Sequence, residues 1–152
     1  MNHGLADEVK THFLKSERQN GRQEVRVLLP GKYDGKKKYK ILYVLPVEAG
    51  FDQKYGYGLG VFQKMNAHNL YDLIIVQMGF EKVPWFGDHA ANPSIRQASY
   101  LKEDVVPFIE TNYSALARLS LLAAKESEKP FKIAKLVVRS SLHRLFAFPC
   151  WT

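Results

Sequence analysis

The chain has 152 residues, of which 46% are hydrophobic, and this length and composition are typical of one globular domain rather than of a disordered segment. Residues 114–152 hold 7 Lys and Arg and 2 Asp and Glu, so they carry a net +5 of the formal charge of +7. Because the longer part of the chain is nearly neutral, the charge does not predict a nucleic-acid partner.

No apolar run reaches the roughly 18 residues that a membrane helix needs, and the N-terminal residues lack the apolar core of a secretory leader. The single cysteine, Cys150, cannot form an internal disulfide. We therefore expect a cytoplasmic protein without a membrane partner.

The first forty residues predict two strands and a basic loop. Residues 9–16 alternate in the manner of an edge strand, Asn20-Gly21 predicts a tight turn, and residues 24–30 predict a second strand. The basic run GKYDGKKKYK (31–40) follows. We interpret this run as a solvated hairpin loop, with contact to a phosphate or an anionic surface as the alternative.

The middle of the chain predicts two buried strands with a helix between them. YKILYVLPV (39–47) and DLIIVQMG (72–79) are continuous apolar runs, as expected of strands that are covered on both faces. Leu and Phe residues recur near helical spacing over residues 58–71, which predicts the helix.

A second helix is predicted to follow the second buried strand. Ser94 and Gln97 form an S-x-x-Q capping box at its start, Pro107 would bend it, and Tyr113 ends it. The order of elements predicts an α/β fold: a mostly parallel sheet with an antiparallel N-terminal strand pair, and helices packed on the sheet.

The loop VPWFGDHAANPSIRQ (83–97) concentrates the residues that could support chemistry. Trp85, Asp88 and His89 lie close together there and could be catalytic partners, metal ligands or a structural corner. Neighbouring residues of an extended chain point to opposite sides, which disfavours Asp88 and His89 as a catalytic pair. Metal ligation needs three or four convergent ligands, and the other histidines show no such spacing. We therefore favour a structural role and predict no metal.

Three stretches of the sequence resemble the esterase D-like branch of the α/β-hydrolase superfamily. They are YKILYVLPVEAG (39–50), YGYGLGVFQKMNAHNLYDLIIVQMGFEKVPWFGDH (55–89) and IRQASYLKEDVVPFIETNY (95–113). The resemblance implies that residues 1–113 form the N-terminal part of a partial α/β-hydrolase fold. It also implies a serine hydrolase that cleaves carboxylic esters, with a small acyl-ester substrate in complete homologues and no cofactor.

The same resemblance suggests site residues. The oxyanion donor of this superfamily comes from the loop after the central strand, so Val47 and Glu48 are the candidates for a backbone N–H group that faces the site. Trp85, Asp88 and His89 are the candidates for residues that line the substrate pocket of a complete homologue.

The nucleophile of such an enzyme is missing from the sequence. No Gly-x-Ser-x-Gly motif occurs, and no glycine follows Gly87. Ser140-Ser141 follows a strand-like run. However, Arg139 and Leu142 flank these serines, where the sharp turn that holds a nucleophilic serine (the nucleophile elbow) needs small residues. We therefore expect an inactive chain: a fragment with a frameshifted or prematurely ended C-terminus, a divergent descendant, or a damaged gene product. A non-catalytic binding or scaffolding module that uses the remnant pocket and the basic tail is the alternative.

Residues 114–152 differ in composition from the rest, because they contain no Gly, Asp or Asn. We assign them as a divergent or out-of-frame tail with a helix at about 115–126 and a strand at about 131–138. Without the later strands of a complete hydrolase, an apolar strand of the sheet would have an uncovered edge. The sequence therefore predicts self-association through this edge.

Overall fold

The computed structural model describes residues 9–45, 58–80 and 87–123. Five strands lie in this part of the chain: β1 (Val9–Ser16), β2 (Gly21–Leu28), β3 (Tyr39–Leu45), β4 (Leu73–Met78) and β5 (Ala115–Ala123). The helices are α1 (Gly58–Lys64), α2 (Ala67–Leu70), α3 (Gln97–Tyr100) and α4 (Val106–Asn112), with a short 3₁₀ turn at Glu17–Gln19 and a π-helical segment at Leu101–Val105. Within these residues, no helix has the length and hydropathy needed to cross a membrane.

The strands form one mixed sheet in the order β1-β2-β4-β3-β5. β2 pairs antiparallel with both β1 and β4, whereas β3 pairs parallel with both β4 and β5. The expectation of an α/β fold with an antiparallel N-terminal pair is met. The expectation of a mostly parallel sheet is not met, because two of the four strand pairings are antiparallel.

The sheet is buried on both faces, which explains the continuous apolar runs of its central strands. In β3, Tyr39, Ile41 and Tyr43 belong to the larger core cluster, whereas Val44 belongs to the smaller one. The larger cluster includes residues of α3, the π-helical segment and α4, and the smaller one includes Leu59, Phe62 and Ala67 of α1 and α2. Helices therefore pack on both sides of the sheet.

The predicted turn between the first two strands is confirmed. Asn20 has a φ of 52° and Gly21 a φ of 130°, values in the positive range that Asn and Gly tolerate best. Ser16 accepts a hydrogen bond from the N–H of Arg18 at 3.0 Å and so caps the short 3₁₀ turn.

The interpretation of the basic run as a hairpin loop is wrong. Strand β4 lies between β2 and β3, so the run crosses from one side of β4 to the other instead of joining paired neighbours. Lys36, Lys37 and Lys38 are exposed, and Lys37 forms an ion pair with Asp72 at the start of β4. The chain reverses at Gly35, whose φ is 68°.

The predicted helix at 115–126 is also wrong, because Ala115–Ala123 forms a strand. This strand is held in register by β3, with Ile41 opposite Leu119 and Leu45 opposite Ala123. Pairing to an existing strand therefore overrides the high helix propensity of alanine and leucine. The strand predicted at 131–138 lies outside the described residues.

The second helix begins two residues later than predicted. Arg96 occupies its N-cap position and Gln97 its first turn, so Ser94 does not form the predicted capping box. The N–H of Val106 bonds to the carbonyl of Leu101, five residues back, just before Pro107. This wider turn lies next to the proline that was expected to disturb the helix, and α-helical geometry then resumes to Asn112.

Candidate functional site

The parallel strands β3, β4 and β5 have their carboxyl ends at the same end of the sheet. Open α/β sheets usually bind their ligands at this end. β3 ends at Leu45, β4 at Met78 and β5 at Ala123. The oxyanion candidates Val47 and Glu48 come two and three residues after the end of β3, but they lie outside the described residues. The same is true of the pocket candidate Trp85 and of the serines at 140 and 141, so the roles of these residues stay predictions.

Asp88 is described, and its carboxylate caps a helix that is distant in sequence. Oδ1 accepts a hydrogen bond from the N–H of Ser99 at 3.0 Å, and Oδ2 accepts one from the Ser99 hydroxyl at 2.6 Å. Ser99 lies in the first turn of the helix, where backbone N–H groups have no partner within the helix. Asp88 therefore acts as an N-cap from outside the helix, and its negative charge favours the positive end of the helix dipole.

Backbone contacts close this loop into a small ring. Asp88 and Arg96 form an isolated antiparallel bridge, the N–H of His89 donates to the carbonyl of Ile95 at 2.7 Å, and the N–H of Gln97 donates to the carbonyl of Gly87 at 3.1 Å. The guanidinium of Arg96 lies 3.7 Å from Asp88 Oδ2. These contacts fix the conformation of the loop at the point where it joins the helix, and we call this part of the loop the corner.

His89 stabilises the other half of the corner. Its Nδ1 accepts hydrogen bonds from the N–H groups of Ala91 at 3.1 Å and Asn92 at 3.0 Å, and the residue is exposed. Asp88 and His89 thus bind different partners: Asp88 binds Ser99 of the helix, and His89 binds backbone groups of the loop itself. Within residues 9–45, 58–80 and 87–123, no cluster of three potential metal ligands forms.

The environment of Asp88 favours its charged form. Partial burial acts to raise the pKa of this carboxyl group, but the hydrogen bonds from Ser99 and the charge of Arg96 outweigh burial and lower the pKa below its usual value. A carboxyl group whose pKa is lower in the folded state stabilises the fold above the pKa of the unfolded chain, about 3.9 for Asp. This stabilisation is lost as the pH falls through the lower folded pKa.

We expect Asp88→Ala to lower the free energy of unfolding by about 1–2 kcal/mol, because Ser99 loses a partner for its N–H and its hydroxyl. Urea denaturation at neutral pH measures the loss. Asp88→Asn is the matched control: the amide oxygen still caps the helix, so most of the stability should remain. The Asn variant should also lose less stability than the wild type between pH 5 and pH 2, in line with the titration of Asp88. Equal losses for Ala and Asn would contradict the capping role.

A second polar cluster was missed from the sequence. Asp104, in the π-helical segment, accepts a hydrogen bond from the Ser16 hydroxyl at 2.7 Å and from Arg18 Nη1 at 2.9 Å. Arg18 also pairs with Glu103, and its carbonyl accepts from the N–H of Arg96. The cluster fastens the corner of the β1–β2 hairpin to the helix. The side chains of Ser16 and Arg18 are more than eighty residues from the carboxylates that they bind, so no local pattern could have revealed the cluster.

The far end of the same helix contacts the hairpin through aromatic rings. His12 Nε2 lies 2.6 Å from the Tyr113 hydroxyl, and the His12 ring packs edge-on against Phe108 and Tyr113. Burial and the nearby charge of Lys10 lower the pKa of His12. The hairpin and the helix are therefore joined at both ends, which fixes the helix beside the predicted site.

No family model matches the chain, and no curated protein matches it. Several solved structures are similar to the chain in fold. A ferulic acid esterase aligns with 80% of this chain and 50% of its own, at 19% identity and a TM-score of 0.61. An S-formylglutathione hydrolase from Agrobacterium tumefaciens aligns over the same shares, at 15% identity and a TM-score of 0.57. An IroE-like serine hydrolase from Shewanella oneidensis aligns with 75% of this chain and 42% of its own, at 15% identity and a TM-score of 0.52.

The chain thus spans about half the length of the ferulic acid esterase and the S-formylglutathione hydrolase. Identities below 20% show the fold alone, and the common fold of these neighbours is that of α/β-hydrolase-type esterases. The similarity confirms the fold that the sequence resemblance implied. The chain therefore has a partial α/β-hydrolase fold of the kind found in these esterases.

Proposed function

We propose that this chain is a fragment or a degenerate member of a family of serine hydrolases that cleave carboxylic esters, and that it does not turn over esters by itself. The observation that carries the proposal is the combination of an esterase-type fold with a sequence that contains no Gly-x-Ser-x-Gly motif. The strained elbow of this motif exposes the serine, and bulky neighbours would collide with the adjacent strand and helix.

The contacts of the described candidates support this proposal. A serine nucleophile needs a base that can take its proton, and that base needs an orienting partner. His89 Nδ1 already accepts two backbone N–H groups, and the carboxylate of Asp88 is hydrogen-bonded to Ser99. Both side chains are thus occupied in holding the loop.

In a complete homologue, the proposed arrangement places the backbone of Val47 and Glu48 at the oxyanion of the tetrahedral intermediate. Trp85 and the corner formed by Asp88 and His89 form a wall of the pocket. The substrate is a small acyl ester, and no metal or cofactor takes part. This chain retains a wall of such a pocket without the group that attacks the ester.

We expect the purified chain to hydrolyse a generic short acyl ester no faster than the Ser140→Ala/Ser141→Ala double variant. Release of a chromogenic alcohol measures the rate, and circular dichroism verifies that both proteins are folded. Turnover clearly above the double variant would refute the proposal and make one of these two serines the nucleophile.

The nucleotide sequence separates a fragment from a divergent descendant. If a frameshift produced the tail, another reading frame downstream of codon 113 encodes an elbow of the Gly-x-Ser-x-Gly type. If neither alternative frame encodes one, the frameshift origin fails, and divergence or an early stop remains.

A further inference from the structure

Asn20 differs from the other asparagines in the part of the chain that the structure describes, because no hydrogen bond to another described residue holds its side chain. The other four side chains are held by hydrogen bonds of 2.6–2.9 Å, and they belong to Asn66, Asn69, Asn92 and Asn112. Asn20 is also exposed, at the end of the turn between β1 and β2. Its amide group can therefore change conformation without losing a bond.

The residue that follows Asn20 leaves its backbone nitrogen open to reaction. Gly21 has no side chain, and nothing beyond its chain neighbours lies within 4 Å of the position that a Cβ would take there. A backbone nitrogen next to an asparagine can attack the side-chain amide carbon, and a side chain on the residue that supplies the nitrogen hinders this attack. Asn20-Gly21 therefore places an unheld amide beside an unhindered nucleophile.

A local rotation brings the two reacting atoms together. The cyclic imide that forms needs Cβ of Asn20 eclipsed with the nitrogen of Gly21, which corresponds to a ψ of about −120°, as in a type II′ turn. Asn20 has a φ of 52°, close to the value in that turn, and a ψ of 45°, so only the peptide plane between the two residues has to rotate. The rotation takes φ of Gly21 from 130° to negative values, which glycine tolerates equally. Because Ser16–Gly21 is the last pair of the β1–β2 ladder, at most this one pair opens.

We propose that Asn20 is a site of spontaneous deamidation in the folded chain. The nitrogen of Gly21 loses its proton to hydroxide and forms a bond to Cγ of Asn20, and the C–N bond of the side-chain amide breaks to release ammonia. A water molecule then opens the cyclic imide at either of its carbonyls. Opening at one carbonyl gives aspartate, and opening at the other gives isoaspartate, in which the backbone passes through Cβ.

Asn66 provides a comparison within the same chain. Its backbone has nearly the same conformation, with a φ of 53° and a ψ of 28°, and it is exposed as well. However, its Oδ1 accepts a hydrogen bond from Asn69 at 2.6 Å, and the next residue is Ala67, which is 5% exposed and begins α2. Rotation of the Asn66–Ala67 peptide plane would take this buried alanine out of helical geometry. Asn66 should therefore keep its amide while Asn20 loses it.

The isoaspartyl product lengthens the backbone of the hairpin turn by one atom, close to the attachments of the hairpin. Arg18 lies two residues before Asn20, its side chain binds Asp104 at 2.9 Å, and its carbonyl accepts a hydrogen bond from the N–H of Arg96 at 2.9 Å. Ser16, at the other end of the turn, also binds Asp104. The longer turn should weaken these contacts and loosen the hairpin from the corner.

Mass spectrometry of the aged protein tests the proposal. The folded wild-type chain is kept in mildly alkaline buffer that contains heavy-oxygen water, and its peptides are analysed at intervals. The peptide that contains Asn20 should lose its amide nitrogen and gain an oxygen from the solvent, and isoaspartyl methyltransferase should label the isoaspartyl fraction. The peptide that contains Asn66 should stay unchanged over the same time. Loss of the Asn66 amide before that of Asn20 would overturn the proposal, and so would an aspartate product without isoaspartate.

Ala67→Gly is the matched control variant, because it gives Asn66 the same following residue as Asn20. Asn20 should still lose its amide faster, and equal rates in the folded variant would refute the role of the turn. If this variant does not fold, the wild-type chain in urea decides the question. Loss of the Asn20 amide in urea but not in the folded chain would mean that the turn protects Asn20, which overturns the proposal.

Hydrogen exchange of the aged protein tests the effect on the hairpin. Amides of residues 16–22 should exchange faster in the isoaspartyl fraction than in the unmodified chain, because the turn no longer holds Ser16 and Arg18 in place. Unchanged exchange in this fraction would refute the weakened attachment.

Discussion

Ile109→Ala should lower the free energy of unfolding by about 2–5 kcal/mol, the largest loss that we expect from a single side chain of α4. Ile109 has no exposed surface and packs in the larger core cluster with Val105 and Tyr113. Removing its outer carbons loses their burial and leaves a cavity that the rigid sheet cannot fill by relaxation. Urea denaturation followed by far-UV circular dichroism measures the loss.

Glu110→Ala is the control, because Glu110 is the next residue of the same helix and is exposed. It should change stability by no more than about 0.5 kcal/mol. Similar losses for the two variants would mean that α4 does not pack on the sheet through the face that contains Ile109. A large loss at Ile109 alone would support the helix orientation on which the site description depends.

Asp104→Ala should lower the free energy of unfolding by about 1–3 kcal/mol. The variant removes the acceptor of two hydrogen bonds at once, from the Ser16 hydroxyl and from the guanidinium of Arg18. The side chain of Asp104 is 22% exposed, so water replaces these partners only in part. The hairpin corner should loosen first, and faster hydrogen exchange at residues 16–22 would show this locally.

Glu103→Ala provides the comparison at the neighbouring position. Glu103 also pairs with Arg18, but its side chain is 53% exposed, and pairs of this kind contribute about 0–1 kcal/mol. If Glu103→Ala were as costly as Asp104→Ala, the attachment would depend on the net charge near Arg18 rather than on the specific bonds of Asp104.

Strands whose run of apolar residues reflects burial on both faces of the sheet could be predicted from the sequence. The apolar runs around Ile41 and Ile75 become β3 and β4, covered on both faces, and Asn20-Gly21 forms the predicted turn. Sheet order could not be predicted in the same way, because it depends on which strands meet after folding. The basic run was assigned to a hairpin for this reason, although β4 lies between the strands that it connects.

β5 shows where local preference misleads. Its sequence, ALARLSLLA, consists mainly of residues that favour helices, and it has no clear alternation to indicate a strand. The chain adopts a strand there because β3 offers a row of backbone partners, which a helix would leave unsatisfied.

The candidate site was predictable in part. The sequence singled out Asp88 and His89 and favoured a structural corner, and the hydrogen bonds of both residues lie within such a corner. It could not show that Asp88 caps a helix eleven residues later, since Ser94 offered a closer capping pattern. Capping by a distant residue depends on the loop closing first, which is a tertiary event.

The position of β5 also has a consequence for the order in which the chain folds. β1 and β2 are adjacent in sequence and can pair within microseconds. β3 can pair with β5 only after β5, which lies about seventy residues later in the sequence, has been synthesised. Contacts of such long range are slow to form because loop closure precedes any gain from pairing. During synthesis, the edge of the apolar strand β3 that pairs with β5 therefore stays unpaired until β5 leaves the ribosome. Pulse-labelled nascent chains stalled before residue 115 should bind chaperones more strongly than chains stalled well after residue 123.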